Sequence, residues 1–108
     1  MSPDVQEAVE ALPGAFMPEK AGAAQAVFQL DLSGDDGGQW ALSVANGECE
    51  VREEVAPQPD ATISMDGHDF VALISNQLDP VGAFMGGKIK IAGNLGMVMQ
   101  FLGWFKRG

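Results

Sequence analysis

Three short runs of alternating apolar and polar residues within residues 27–53 constrain the fold more than any other feature of the sequence. The runs read VFQLDLS, QWALSV and ECEVRE, and Asn46-Gly47 separates the last two. Strict alternation predicts strands with one dry face and one wet face. An Asn-Gly pair between two such runs predicts a two-residue type I′ turn. We therefore expect a three-stranded antiparallel meander in the middle of the chain.

The same alternation predicts which side chains face the core. Phe28, Leu30 and Leu32 fall on the dry face of the first strand, whereas Gln29 falls on the wet face. The runs DATISM and KIKIAG alternate in the same way and predict a fourth and a fifth strand. Because every predicted strand has a wet face, one layer of helices is expected to cover the sheet.

Helix start signals lie on both sides of these strands. Ser2-Pro3 predicts the start of a first helix, with Val5, Ala8, Val9 and Leu12 on one face. Three later helices are predicted to begin after the cap residues Asp66, Asp79 and Asn94. The expected fold class is α+β, in which helices cover one face of a five-stranded, mostly antiparallel sheet. Residues 1–108 are expected to form one domain.

Charge is distributed unevenly along the chain. The net charge is −9, and all 15 acidic residues lie within residues 1–79. Residues 80–108 contain four basic residues, Lys88, Lys90, Lys106 and Arg107. An acidic chain is poorly suited to a phosphate backbone, which argues against nucleic acid as the partner. The four basic residues are candidates for contact with a lipid head group or an anionic membrane surface. They also occupy ordinary surface positions, an outer strand face and a helix C-terminus.

The last predicted helix is apolar around most of its circumference. Leu95, Val98, Met99, Leu102 and Phe105 form one apolar face, and Met97, Phe101 and Trp104 extend it around the side. A helix on the surface of a domain needs an apolar arc of only about 100°. One face can lie on the sheet, so the other is expected to meet a partner chain, a membrane or a bound apolar molecule. The methionines nearby are typical of surfaces that accept variable shapes.

The second half of the chain resembles the sterol carrier protein type 2 domain family. The resemblance rests on DATISMDGHDFVALISNQLDPVGAFMGGKIKIAGNLGMVMQFLGWF, and the meander extends it over nearly the whole chain. Its central block consists of Asp79, Pro80, Ala83, Phe84, Met85, Gly87, Lys88, Ile89, Lys90, Ile91, Gly93 and Asn94. The chain looks like a free-standing, prokaryotic-type member, without a peroxisomal tail or a fused enzyme domain.

The resemblance implies a non-catalytic lipid carrier. Members of the family hold sterols, fatty acids, fatty acyl-CoA or other lipids in an apolar tunnel between sheet and helices, with the terminal helix at one end. On this basis the candidate tunnel residues are Phe70, Ile74, Phe84, Met85, Ile91, Met97, Met99, Phe101 and Leu102. Related domains are also accessory factors in isoprenoid-quinone synthesis.

No residue pattern indicates catalysis, a metal site or a cofactor. His68, the only histidine, follows the predicted cap at Asp66, where an exposed polar residue is expected. Cys49 lies on a predicted strand among glutamates, which would raise its pKa and make it a poor nucleophile. The segment DLSGDDGG lacks the spacing and the final glutamate of a calcium loop. We therefore expect a protein that is not an enzyme.

Three hypotheses remain open at this point. The first is the lipid carrier, with transient contact to a membrane. The second is an interaction module for a lipid or isoprenoid-quinone biosynthetic enzyme, or a homodimer, with the C-terminal helix as interface. The third is a filled core with no transport role. A cytoplasmic location is expected, because the sequence has one cysteine and neither a signal peptide nor a transmembrane run.

Overall fold

The computed structural model describes residues 4–34, 37–75 and 77–105, and only the backbone of Asp4. Within these ranges the chain forms a five-stranded sheet and six α-helices. The strands are β1 (Ala26–Ser33), β2 (Gly38–Ala45), β3 (Glu48–Arg52), β4 (Ala61–Asp66) and β5 (Ile89–Gly93). The helices are α1 (Asp4–Glu10), α2 (Leu12–Ala15), α3 (Pro18–Ala21), α4 (Gly67–Ile74), α5 (Pro80–Met85) and α6 (Leu95–Leu102).

The strand order across the sheet is β3-β2-β1-β4-β5. Neighbouring strands are antiparallel except β1 and β4, which are parallel. The predicted fold class, α+β with a mostly antiparallel sheet, is therefore confirmed. The predicted turn is also confirmed: Ala45 pairs with Glu48, and Asn46 and Gly47 have φ values of 55° and 75°. Positive φ at both central residues is the requirement of a type I′ turn.

The predicted alternation correctly identifies the side of the sheet that faces the core. Phe28 pairs with Leu42 on β2 and with Ala61 on β4, and all three are buried. On the same face, Ile63 of β4 pairs with Leu30 on β1 and with Ile91 on β5. The helices lie on this face, with α2 over β3, α4 over β1 and β4, and α6 over β4 and β5.

The opposite face is not wholly wet, and the prediction for Gln29 was wrong. Strand β4 lies beside β1, on the side away from β2. The chain that leaves edge strand β3 must therefore cross β2 and β1 before it enters β4. Gln29 is only 4% exposed beneath this connection. Its side-chain oxygen accepts a hydrogen bond from the backbone N–H of Ala56 at 2.6 Å, and its amide nitrogen donates to the carbonyl of Glu54 at 3.3 Å.

Side-chain caps begin three of the helices where the sequence predicts them. The Asp66 carboxylate accepts a hydrogen bond from the backbone N–H of His68. The Asp79 carboxylate accepts one from the N–H of Gly82. The side-chain oxygen of Asn94 accepts one from the N–H of Met97. The first predicted helix is instead divided into α1 and α2 at Ala11, although Val5, Ala8, Val9 and Leu12 are all buried as expected. Its predicted start at Ser2-Pro3 lies outside the described residues.

Helix α6 ends earlier than the sequence pattern indicates. The helix stops at Leu102, and Gly103 to Phe105 leave the helical path. A single helical wheel through Phe105 was therefore wrong. The buried side chains come from both predicted groups: Val98, Phe101, Trp104 and Phe105. Leu95 and Met99 are instead 42% and 37% exposed.

Candidate functional site

An aromatic cluster holds the end of α6 against the sheet. The ring centroid of Phe101 lies 4.2 Å from that of Phe28 on β1. The ring of Phe101 is also met edge-on by Trp104, with centroids 6.2 Å apart, and by Phe105, with centroids 4.9 Å apart. Edge-on and offset pairs of this kind add about 0.5–1.5 kcal/mol each beyond the burial of their area. The cluster therefore fixes where the last turn of α6 lies over the core.

The residues after α6 also bind the segment between α2 and α3. The backbone N–H of Met17 donates to the carbonyl of Trp104 at 2.7 Å, and Phe16 and Phe105 form an isolated antiparallel bridge. The rings of Phe16 and Phe105 lie 5.5 Å apart. We call these four residues, Phe16, Met17, Trp104 and Phe105, the C-terminal clasp. It joins the N-terminal helices to the end of α6.

A small apolar cavity lies between α4 and α6, next to the clasp. Only apolar side chains line it: Leu12, Phe70, Leu73, Ile74, Phe101, Leu102 and Phe105. Its volume is about 30 Å³, whereas sites for small ligands measure about 300–1,000 Å³. The cavity as it stands is too small for an alkyl chain. Entry of such a chain would therefore require α4 and α6 to separate.

The predicted tunnel residues fall into three groups in the structure. Four of the nine line this cavity: Phe70, Ile74, Phe101 and Leu102. Phe84, Ile91 and Met97 are half-buried and pack against the core. Met85 and Met99 are exposed, and Met85 is 80% exposed. A ligand-binding role for all nine stays a prediction.

Sequence reasoning assigned three of the lining residues to other roles. Leu12 and Leu73 have the helical spacing of ordinary core residues, and nothing local distinguishes a core position from a cavity wall. Phe105 was treated as part of the terminal helix, so its bridge to Phe16 could not be anticipated. Phe16 and Phe105 are far apart in the sequence, so only the folded chain brings them together.

The predicted basic residues lie away from the cavity where the structure describes them. Lys90 pairs with Ser64 on the sheet face opposite the helices, and by alternation Lys88 falls on the same face. Both lysines are exposed and border a shallow groove of about 250 Å³ that Ser33, Ser64 and Asp66 also line. Lys106 and Arg107 are outside the described residues. Contact of these lysines with a head group stays a prediction.

The Cys49 thiol does not have the surroundings of a nucleophile. Burial, and next the charge of Glu50, raise the pKa of the Cys49 thiol to about 11, so the thiol is protonated near neutral pH. Nδ1 of His68 lies 3.9 Å from a carboxylate oxygen of Asp66 at the exposed start of α4. Within the described ranges, no three His, Cys, Asp or Glu residues are grouped so that they could hold a metal ion.

The sequence matches the model of a known family. A model of the SCP-2 sterol transfer family matches residues 7–106. The chain belongs to this family. Hydroxysteroid dehydrogenase-like protein 2 of Rattus norvegicus is 37% identical over 97 residues, which cover 89% of this chain but only 18% of the rat protein. The chain thus spans less than a quarter of the length of such relatives.

Solved structures of the SCP-2 family share the fold. The crystal structure of sterol carrier protein 2 like 2 from Aedes aegypti has a TM-score of 0.74 at 25% identity, covering 92% of this chain and 91% of that one. The solution structure of palmitated SCP2L2 from Aedes aegypti has a TM-score of 0.78 at 24% identity, covering 100% and 99%. In the part of this family member that the structure describes, no helix is long and apolar enough to cross a membrane.

Proposed function

We propose that this domain, residues 1–108, is a non-catalytic lipid carrier. It holds one fatty acid, fatty acyl-CoA, sterol-like or other hydrophobic ligand between α4 and α6, with α6 as the lid. The observation that carries the proposal is the all-apolar lining of the cavity between these helices. Membership of a sterol transfer family supports it. We do not assign dehydrogenase activity to this chain from the relatives' names, because the chain matches less than a quarter of the length of those proteins.

The free energy gained by burying a long alkyl chain is of the same order as the cost of binding it. Each methylene removed from water contributes about 0.8 kcal/mol, so a chain of about 14–16 methylenes contributes roughly 11–13 kcal/mol. Association costs about 4–15 kcal/mol, and the separation of α4 and α6 adds to that cost. Apolar burial is non-directional, so we expect broad selectivity governed by chain length.

The side chains best able to admit a ligand are those that the core holds only in part. Ile74 on α4 and Leu102 on α6 both line the cavity and are half-buried. Phe84, Ile91 and Met97 on the neighbouring elements are half-buried as well. A half-buried side chain loses less packing energy when it moves than a fully buried one. We infer that a ligand enters between Ile74 and Leu102 and displaces the others in turn.

Native mass spectrometry followed by palmitate titration tests this function. We expect one palmitate per chain, because a single ligand would occupy the space between α4 and α6. Leu102→Trp should fill the space and weaken palmitate binding about ten-fold or more, while Leu102→Ala, which enlarges it, should retain binding. Val55→Trp is the matched control, because Val55 is 62% exposed on the connection across the opposite face.

Two outcomes of that experiment would contradict the carrier proposal. One is the absence of palmitate uptake by the folded wild-type protein. The other is a folded Leu102→Trp variant, shown to be folded by circular dichroism, that binds palmitate as tightly as the wild type. The second outcome would move the site elsewhere in the domain.

The alternative function is an accessory module for a lipid or isoprenoid-quinone biosynthetic enzyme. The exposure of Leu95 and Met99 on α6 favours it, because these side chains leave an apolar face available to a partner. A homodimer through α6 would use the same face. Light scattering over a concentration series distinguishes the two functions: a stable dimer without palmitate uptake would favour the module. A cytoplasmic location and transient membrane contact belong to the carrier proposal.

A further inference from the structure

Strands β3 and β5 form the two edges of the sheet, and their charges on the face away from the helices are opposite. On that face β3 bears the exposed side chains of Glu48 and Glu50. Exposed Lys90 lies on the same face of β5, and exposed Lys88 directly precedes the strand. Among the described residues, no ion pair involves either lysine. One edge of the sheet is therefore acidic and the other is basic.

The face of these strands that points toward the helices is apolar at both edges. It consists of Cys49 and Val51 on β3 and of Ile89 and Ile91 on β5. Ile89 is buried, and the other three are half-buried. Successive side chains of a strand alternate between its faces, and directly opposed residues of neighbouring strands contact each other. Strand β3 therefore suits a partner strand that alternates apolar residues with bases, and β5 is such a strand.

The topology gives the two edges the directions that this pairing needs. Strand β3 runs in the same direction as β1 and β4, whereas β5 runs in the opposite direction. With the helices of two copies on one side, β5 of one copy would therefore meet β3 of the other antiparallel. One register places Glu50 opposite Lys88 and, two residues along each strand, Glu48 opposite Lys90. Arg52, the only base of β3, then falls beyond the end of β5.

The same charges oppose the symmetric pairings of two copies. Pairing β3 with β3 would bring glutamates together, and pairing β5 with β5 would bring lysines together. Like charges directly opposite each other destabilise a strand pair. The net charge of −9 repels any two copies at long range, so attraction has to come from the edges themselves. Charge complementarity therefore favours contact between β3 of one copy and β5 of another.

We propose that a second copy of this chain adds its β5 edge to β3, so that the sheet continues from one copy to the next. The contact is heterologous, and each added copy leaves one open β3 edge and one open β5 edge. The helical layers of all copies lie on one side of the extended sheet. Two strands of five residues fall short of the roughly 1,000 Å² of a stable interface, so we expect weak association at high protein concentration. The proposal does not depend on the carrier function.

Sedimentation velocity over a concentration series measures this association. The average mass of the wild-type protein should rise with concentration and pass that of a dimer. Glu48→Gln combined with Glu50→Gln should weaken association about five-fold, and so should Lys88→Gln combined with Lys90→Gln. The glutamate variant also lowers the net negative charge, which alone would strengthen association. Weaker association of that variant would therefore come from the edge and not from the overall charge.

An equimolar mixture of the two double variants tests the direction of the contact. One variant keeps an intact β5 edge and the other keeps an intact β3 edge, so the mixture should associate about five-fold more strongly than either variant alone. Its main product should be a dimer with one copy of each. Glu7→Gln combined with Glu19→Gln is the matched control, because it removes two exposed acids from α1 and α3. It should not weaken association.

Four outcomes would overturn the proposal for variants that circular dichroism shows to be folded. One is a wild-type protein that stays monomeric at millimolar concentration. Another is equal weakening in the control and edge variants, and a third is a mixture that associates no more strongly than its components. The fourth is association that both edge variants retain and Met99→Ser abolishes, which would place the contact on α6. Palmitate uptake by a strictly monomeric protein would overturn the edge contact and leave the carrier function standing.

Discussion

At the scale of single residues, the Gln29 side chain provides hydrogen bonds to a segment that has no strand partner. The connection between β3 and β4 has no strand partners where it crosses β1, so its buried backbone groups need another source of hydrogen bonds. Gln29 supplies both an acceptor for Ala56 and a donor for Glu54. In the opposite direction, the carboxylate of Asp60 on the connection accepts a hydrogen bond from the N–H of Val27 on β1 at 2.8 Å. Two polar side chains thus fasten the connection to the sheet.

We predict that Gln29→Ala destabilises the domain by about 1–3 kcal/mol, because it leaves the buried N–H of Ala56 without an acceptor. Urea unfolding followed by circular dichroism measures the change. Gln39→Ala is the matched control, since Gln39 is exposed on β2, and its effect should stay within about 0.5 kcal/mol. Equal losses in the two variants would show that the buried amide contributes nothing specific.

At the scale of elements, the sequence predicts well whatever is decided locally. Alternation identified the inner faces of the strands, and Asp66, Asp79 and Asn94 were recognised as caps because a cap involves residues only two or three positions apart. The burial of Gln29 depends on the insertion of β4 beside β1, and the end of α6 depends on contacts with Phe28 and Phe16. These are decided by strand order and distant packing, which no local pattern records.

The candidate site also combines features that local sequence decides with features that distant packing decides. Phe70, Ile74, Phe101 and Leu102 were named from the resemblance and their helical spacing, and they do line one cavity. The volume of that cavity depends on how closely α4 and α6 approach, which is a property of the packed core and not of either helix. The sequence therefore indicated four of the seven side chains that line the cavity, together with five that do not line it, and left open how much space is enclosed.

The start of helix α6 can be tested through its cap residue, Asn94. Asn94→Ala removes the hydrogen bond from the N–H of Met97, which measures 3.1 Å, and should cost about 1 kcal/mol. Amide hydrogen exchange should speed up in the first turn of α6 more than in α4. Asn94→Asp keeps the acceptor and serves as the control. Unchanged exchange in Asn94→Ala would mean that the clasp and the aromatic cluster alone hold α6.

At the scale of the whole molecule, three parts of the helical layer meet at the cavity. Helix α2 contributes Leu12, α4 contributes Phe70, Leu73 and Ile74, and the end of α6 closes the space. The clasp binds the first part to the last. A ligand held between them would contact all three parts of the helical layer at once, so its binding should stabilise the folded state as a unit.

We predict that palmitate raises the melting temperature in proportion to the logarithm of its free concentration. A ligand that binds only the folded state adds about 2.7 kcal/mol at a concentration one hundred times Kd, or roughly 10–20 °C for a domain of this size. Differential scanning calorimetry below the critical micelle concentration measures the shift. Butyrate at the same concentration is the control, and an equal shift with both acids would indicate an effect of charge rather than of the alkyl chain.

The C-terminal clasp has a consequence for the order in which this molecule is completed during synthesis. The sheet is complete once β5 has left the ribosome, whereas Phe105, which bridges to Phe16, emerges later. Chains are made at about 5–20 residues per second, which is slow compared with the formation of a helix. We therefore expect the wall of the cavity to be the last part of the fold to close. An apolar molecule present at that moment could be enclosed as the clasp forms, without having to force α4 and α6 apart.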